Sequence, residues 1–341
     1  MDEHIFVIAE AGVNHNGDID LAFKLVEEAA KAKADAVKFQ TFIPENVISR
    51  NAQKAAYQKV TTGVEESQLD MVRKFYLDKE SFRSIAEQCK RHHILFLSTP
   101  FDLDSIDTLV NLNLRTFKIP SGEITNLPYL RKIGALGGEI ILSTGMSTLE
   151  EVAVALNVLE TSGTPRSRIT LLHCTTEYPA PFESVNLRAM QTMREAFPGI
   201  AGVGYSDHTP GIAIPIAAAA MGATIIEKHF TLDKNLPGPD HKASLEPDEL
   251  AAMVAGIRQV EQAMGDGVKA PSPAEIPNMA VARKSLVAAC AIRKGEVFTS
   301  ANVACKRPGN GLSPMKWDSI MGLRAERDYN IDELLVLKTK F

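Results

Sequence analysis

The sequence predicts an α/β protein: a (β/α)8 barrel followed by a small, strand-rich terminal domain. Three features carry this. Eight short apolar runs are each succeeded by a segment with apolar residues at three- and four-residue spacing. The runs are apolar nearly throughout rather than alternating, as parallel strands covered on both faces require. After Met264 the pattern breaks into turn-rich composition. Eight strand–helix units are what a barrel needs. An open doubly wound sheet is the competing arrangement. The count of eight and the lack of a glycine-rich dinucleotide turn after the first run favour the barrel.

The strands expected are Ile5–Glu10, Ala34–Thr41, Ile94–Ser98, Arg115–Ile119, Glu139–Ser143, Ile169–His173, Gly202–Ser206 and Thr224–His229. The helices following them are Leu21–Lys31, Lys79–Arg91, Asp104–Asn111, Asn126–Leu136, Thr148–Leu159, Val185–Phe197, Gly211–Met221 and Pro247–Met264. Ser147–Thr148 ahead of Glu150 and Glu151 reads as an N-cap, and Pro247 with Asp248 and Glu249 as a first helical turn. The barrel is thus assigned to residues 1–265. Residues 266–281, rich in Gly, Pro and small polar residues, read as a linker. Residues 282–341 form the terminal domain, with strand-like runs at Ser285–Ala291, Glu296–Phe298, Val303–Lys306 and Leu334–Leu337. A domain of that size needs support from the barrel or from another chain.

A chain of 341 residues exceeds the roughly 250–300 at which one core stops growing, which agrees with a large and a small domain. With 45% hydrophobic and 23% charged residues and a net charge of −5, it is read as a globular protein with no nucleic-acid partner. The acidic start and the absence of a long apolar run argue against a secretory signal or a membrane span. Four widely spaced cysteines without a CxxC pair point to reduced thiols in the cytoplasm.

In a barrel the site lies at the carboxyl ends of the strands. Every predicted strand ends in polar residues there. Taken singly, a strand-end lysine is ordinarily solvated and a strand-end serine ordinarily caps the next helix; the coincidence over eight strands is what marks a site. His208 and His229 end consecutive strands and are read as ligands of a divalent ion, with two structural histidines as the other reading. Asp207 and Glu227 are expected to orient them. Lys38, Lys118, Ser121, Ser143 and Ser206 suit a doubly charged phosphate and a carboxylate. Gly122 and Gly145 leave room for backbone amides to approach an anion.

These stretches together resemble the sialic acid synthase family. The resemblance rests on AEAGVNHNG (9–17), VKFQTF (37–42), FLSTPFD (96–102), KIPSGEITNLPYL (118–130), ILSTGM (141–146), LLHCTTEYPAPF (171–182), GYSDHT (204–209), EKHFTLD (227–233), GPDHKASLEP (238–247) and KRPGNG (306–311). It implies a TIM barrel carrying a C-terminal antifreeze-like (SAF, β-clip) domain, which in that family reaches over the partner subunit in a domain-swapped homodimer. It implies that His208 and His229 bind a divalent metal, manganese foremost, with magnesium or cobalt as alternatives. Lys38, Lys118, Ser121, Ser143, Ser206 and nearby Thr99 match residues holding phosphoenolpyruvate. Glu10, Gln40, Glu123, Tyr178 and Asp240 match residues around the sugar, the metal and its waters, and Arg307 the arginine for the acetamido group of the partner's sugar. Glu10 and Glu123 are the expected acid–base pair.

The implied reaction joins the methylene carbon of phosphoenolpyruvate to the aldehyde of an open-chain acetamido sugar, polarised by the ion. Water then adds at carbon 2, and phosphate departs by C–O cleavage. Thr176, where some family members carry asparagine, with TTEYPAPF and KAAYQ…ESQLDMV, resembles synthases that make legionaminic acid from 2,4-diacetamido-2,4,6-trideoxymannose. A sialic acid synthase using N-acetylmannosamine is the alternative. Two rivals stand further off: a synthase acting on a sugar phosphate, as the deoxyoctulosonate synthases do, and a non-catalytic sugar- or anion-binding barrel. KRPGNG also reads simply as a tight turn, and a turn presenting Arg307 reconciles both readings.

Overall fold

A computed structural model describes residues 4–55, 58, 59 and 66–337. The chain divides into two compact units, Met1–Met264 and Gly265–Phe341. In the first, eight parallel strands run in the order β3-β2-β1-β8-β7-β6-β5-β4. They are β1 (Phe6–Gly12), β2 (Ala36–Thr41), β3 (Leu95–Pro100), β4 (Thr116–Ile119), β5 (Glu139–Ser143), β6 (Ile169–Cys174), β7 (Gly202–Asp207) and β8 (Ile225–His229). β3 and β4 lie side by side without a ladder, so the eight strands close a (β/α)8 barrel with one seam.

Strand periodicity places the site. Ile8, Ala36, Leu97, Ile141, Leu172 and Ile225 form an apolar plug inside the barrel. Two residues further along each strand, on the same face, stand Glu10, Lys38, Thr99, Ser143, Cys174 and Glu227. In these six strands the barrel therefore changes from hydrocarbon to polar groups within one step. Gly204 of β7 fits this plug because a Cβ there would lie 2.4 Å from the Ile225 carbonyl and 2.7 Å from Leu172. The outward residues, such as Val7, Val37, Phe39, Leu142 and Ile226, pack on the helices as one continuous core.

The helices obey their local signals. Thr148 caps Leu149–Ser162 in a capping box with Glu151, and Glu246 with Glu249 does the same for the helix beginning at Pro247. Lys79–Arg91 begins on Asp78, whose side chain accepts from the Ser81 amide. The helix expected at Val185–Phe197 is shorter, Ala189–Ala196, preceded by a 3₁₀ turn at Phe182–Ser184. An excursion not read from the sequence separates β2 from Lys79–Arg91; it contains short helices at Pro44–Val47 and Gln68–Arg73. Ala56 and Tyr57 of the KAAYQ stretch lie outside the described residues. Among the described residues no helix is long and apolar enough to cross a membrane.

In the second unit, β9 (Ser285–Ala288) pairs antiparallel with β10 (Val303–Lys306). Single bridges at Val287–Leu334, Ile292–Tyr329 and Val297–Arg324 replace the other expected strands. Leu286, Ile292, Phe298, Val303, Ile320 and Tyr329 make a small core. The stretch read as a linker contains a helix, Ile276–Ala282, which starts on the Ile-Pro pair. The terminal domain's last four residues, 338–341, lie outside the described residues.

Candidate active site

The polar layer encloses a cavity of about 550 Å³ at the carboxyl ends of the strands. Its floor is a cluster of four buried charges. Lys38 Nζ lies 2.6 Å from Glu10 Oε2 and 3.7 Å from Glu227 Oε2, and donates to Thr99 Oγ1 at 2.9 Å. Lys118 Nζ is 3.3 Å from Glu227 Oε1, which also accepts from Ser206 Oγ at 3.0 Å. Register explains the grouping: Glu10 is aligned with Lys38 on one side and His229 on the other, and Ser206 with Glu227.

The electrostatics separate the two carboxyls. Burial pushes Glu10 up to about 7, against the pull of Lys38. Burial acts upward on Glu227 as well, but Lys118 and Lys38 outweigh it and hold this carboxyl at about 2. Burial pulls Lys38 down, yet Glu10 and Glu227 overcome it and the ammonium is stabilised. Lys118 is lowered by burial, which Glu227 only partly offsets. With Lys38 held in its ammonium form and Glu10 raised toward neutrality, the floor is suited to an anion. Ser143 Oγ and Thr176 Oγ1 are buried there without hydrogen-bond partners. Ser121 Oγ accepts from the Gly145 amide at 3.0 Å. Unpaired buried polar atoms of this kind mark where ligand atoms belong.

Above the floor stand His208 and His229, ring centroids 5.4 Å apart. Tyr178 stacks on His208 at 4.1 Å and meets His229 edge-on at 5.9 Å. His208 Nδ1 is 2.7 Å from the Thr175 carbonyl, which assigns the proton to Nδ1 and leaves Nε2 as a donor to a metal. His229 Nδ1 is buried without a partner, and burial followed by the nearby His208 holds this imidazole well below its ordinary pKa, in the neutral, ligating form. Among the described residues no three His, Cys, Asp or Glu side chains converge on one metal position. The unpartnered imidazole nitrogen of His229 beside His208 fits a divalent ion held by two imidazoles, its other positions left to water and substrate.

Asp240 lies beside His229, across a second, smaller cavity; burial raises its carboxyl to about 6, with His208 pulling the other way. Its loop is held by Asn14, which donates to the Phe230 carbonyl at 2.8 Å and to Ser244 Oγ at 2.9 Å. Ser244 Oγ in turn donates to the Asp240 carbonyl.

The structure thus brings together Glu10, Lys38, Gln40, Thr99, Lys118, Ser121, Ser143, Thr176, Tyr178, Ser206, His208 and His229 around one cavity. Three expectations change. Glu123, expected beside Glu10, is not in the lining; it accepts from Asn126 Nδ2 at 2.6 Å in the 3₁₀ turn. Asp207 does not orient a histidine. It pairs with buried Lys228 at 2.5 Å and accepts from Tyr205 and Thr209. Glu227 serves the lysines rather than the imidazoles. Thr176 lines the same cavity and borders Ser121 at Gly145. Arg307 belongs to the second unit, exposed, with Nε donating to the Ala282 carbonyl at 3.0 Å; Ser285 Oγ ties its turn through Pro308 and Gly311. Cys174, missed in the sequence, lines the mouth with Sγ 3.8 Å from His208 Nδ1. Its position two residues beyond Leu172 was the available signal.

Fold and site together define a barrel of the enzyme type, its mouth lined by two lysines, two glutamates and a histidine pair. The NeuB family model matches residues 25–269, and a SAF domain model matches residues 283–338. The chain belongs to the NeuB family. It is 57% identical to the N,N'-diacetyllegionaminic acid synthase of Campylobacter jejuni, over 96% of this chain and 98% of that one. It is 44% identical to the enzyme of the same name from Legionella pneumophila, over 94% and 90%. Among solved structures, the N-acetylneuraminic acid synthetase of Leptospira borgpetersenii, in complex with citrate, superposes with a TM-score of 0.71 at 34% identity, covering 82% of this chain and 91% of that chain.

Proposed function

We propose that this protein condenses phosphoenolpyruvate with 2,4-diacetamido-2,4,6-trideoxymannose to give N,N'-diacetyllegionaminate and phosphate. One geometric observation carries the reaction class: a buried lysine–glutamate cluster and a histidine pair line the same cavity. The sugar assignment is supported by the 57% identity to the Campylobacter jejuni enzyme.

In this reading Lys38 and Lys118, with Ser121, Ser143, Ser206 and Thr99, hold the phosphate and carboxylate of phosphoenolpyruvate. Charge-assisted bonds to two ammonium groups fix its methylene carbon. Gln40, Tyr178 and Asp240 hold the sugar, with Thr176 at the border. A divalent ion at His208 and His229, with manganese as our choice, supplies Lewis-acid polarisation of the sugar's aldehyde when bound. The C–C bond forms between the methylene carbon and the aldehyde carbon. Water adds at carbon 2, and the C–O bond to phosphate breaks. Glu10, poised near neutrality, is assigned the proton transfers at this mouth. Glu123, bonded to Asn126, is left out of that role. Lys38 and Lys118 face the charge that develops as phosphate departs.

Assembly as a homodimer is part of the proposal, bringing Arg307 of one copy to the acetamido group bound by the other. The cytoplasm is the proposed compartment, supported by four unpaired cysteines.

The test is phosphate release by manganese-loaded enzyme with phosphoenolpyruvate and each of two sugars. Preference for the trideoxy diacetamido sugar is expected. Preference for N-acetylmannosamine would reassign the protein as a sialic acid synthase, and release with neither would overturn the reaction.

A further inference from the structure

Beside the mouth lies a second cavity of about 260 Å³, whose apolar lining has no part in the chemistry above. Its walls differ in kind. Gln40, Tyr178, His229 and Asp240 form the polar wall, and the first three of these also line the reactive mouth. Most of the remaining lining is apolar and comes from the end of β2 and the excursion after it, Phe42, Val47, Ile48, Met71, Val72 and Phe75, with Gln58 the polar residue of that excursion. Phe42, Met71 and Phe75 pack with Val13 in a separate hydrophobic cluster, so this wall is a built surface with its own core.

We propose that this cavity receives the tail of the open-chain sugar, its C6 methyl and the methyl of its 4-acetamido group, and selects against sugars hydroxylated there. The inference rests on the reading that the mouth condenses phosphoenolpyruvate with an acetamido sugar. An aldehyde placed at His229 directs the far end of a six-carbon chain into the adjoining space, because the two cavities share His229, Tyr178 and Gln40. Methyl groups against the valine, isoleucine and methionine wall leave water favourably. A hydroxyl at C4 or C6 set against these apolar side chains would give up its water partners. Asp240 and Tyr178 on the polar wall remain for the hydroxyls along the middle of the chain.

Val72 and Ile48 are half-buried, so a polar residue at either is compatible with folding. The experiment compares wild type, Val72→Asn and Ile48→Asn by kcat/KM for 2,4-diacetamido-2,4,6-trideoxymannose and for N-acetylmannosamine. KM for phosphoenolpyruvate and the far-UV circular dichroism serve as controls. Wild type is expected to prefer the first sugar, and each variant to reduce that preference about tenfold or more at unchanged phosphoenolpyruvate KM. Folded variants that keep the wild-type preference would overturn the pocket while leaving the proposed function standing. Equal loss with both sugars would likewise remove selectivity from this wall. A wild-type preference for N-acetylmannosamine would instead remove the sugar assignment, and the pocket's role with it.

Discussion

Replacing Lys228 by methionine tests how the two histidine-bearing strands are tied together. Lys228 and Asp207 are both completely buried, with Nζ 2.5 Å from Oδ2, and Nζ also donates to the Thr209 carbonyl. Asp207 accepts three further hydrogen bonds, from Tyr205 Oη at 2.8 Å, the Thr209 amide at 3.1 Å and Thr209 Oγ1 at 3.0 Å. Methionine preserves most of the stem's packing, so the cost is electrostatic. The carboxylate keeps three neutral donors but loses its counter-charge, and the Thr209 carbonyl loses a donor. Breaking such a pair from one side costs about 3–5 kcal/mol. At about 2–4 °C per kcal/mol for a domain of this size, the barrel should melt about 6–20 °C lower. Calorimetry or far-UV circular dichroism is the assay, because the sole tryptophan, Trp317, reports on the other unit. Adding Asp207→Asn to Lys228→Met should recover a large part of the loss by removing the stranded charge. A loss below about 1 kcal/mol, or a double variant no more stable than the single, would refute the reasoning.

A Cβ at Gly145 would lie 2.3 Å from Thr176 Oγ1 and 2.8 Å from Ser121 Oγ. Gly145→Ala should therefore displace the anion corner and weaken phosphoenolpyruvate use, by as much as about 100-fold for a 1 Å shift; an unchanged KM would contradict the placement. Arg307→Ala is expected to raise the sugar KM far more than that for phosphoenolpyruvate, and initial rates with each substrate varied in turn decide it. Burial lowers His15 to about 4, so between pH 6.5 and 4 the unfolded chain binds a proton the folded barrel does not. Stability should fall on acidification through that window, and His15→Gln should flatten the fall in urea titrations; an unchanged slope would assign the acid sensitivity elsewhere. His229→Ala should abolish stimulation by added manganese while the circular dichroism spectrum is preserved, and full metal-stimulated activity would remove this histidine from the metal site.

Much of the barrel is written in local pattern. Continuous apolar runs, helix spacing and caps such as Thr148 are properties of neighbouring residues, and they place strand ends within a residue or two. The polar layer follows from the same periodicity: Lys38 stands two residues beyond Ala36, and Glu227 two beyond Ile225, so both face inward wherever the strands lie. Short-range pattern is silent about partners around the barrel. Register decides that Glu227 lies between Lys38 and Lys118 and that Asp207 meets Lys228, and the sequence reading had assigned both carboxylates to the histidines. Glu123 follows β4 closely, yet the 3₁₀ turn hands it to Asn126. Least legible was the apolar wall of the second cavity. Phe42, Val47 and Met71 are apolar side chains with no reactive group, and only the tertiary fold puts them in one cavity with His229. The sequence by itself determined the barrel and which side chains face its mouth, because those depend on spacing along the chain. Tertiary structure decided which charges neutralise one another and what lies beside the histidines, because these depend on strand register and on where a long loop comes to rest.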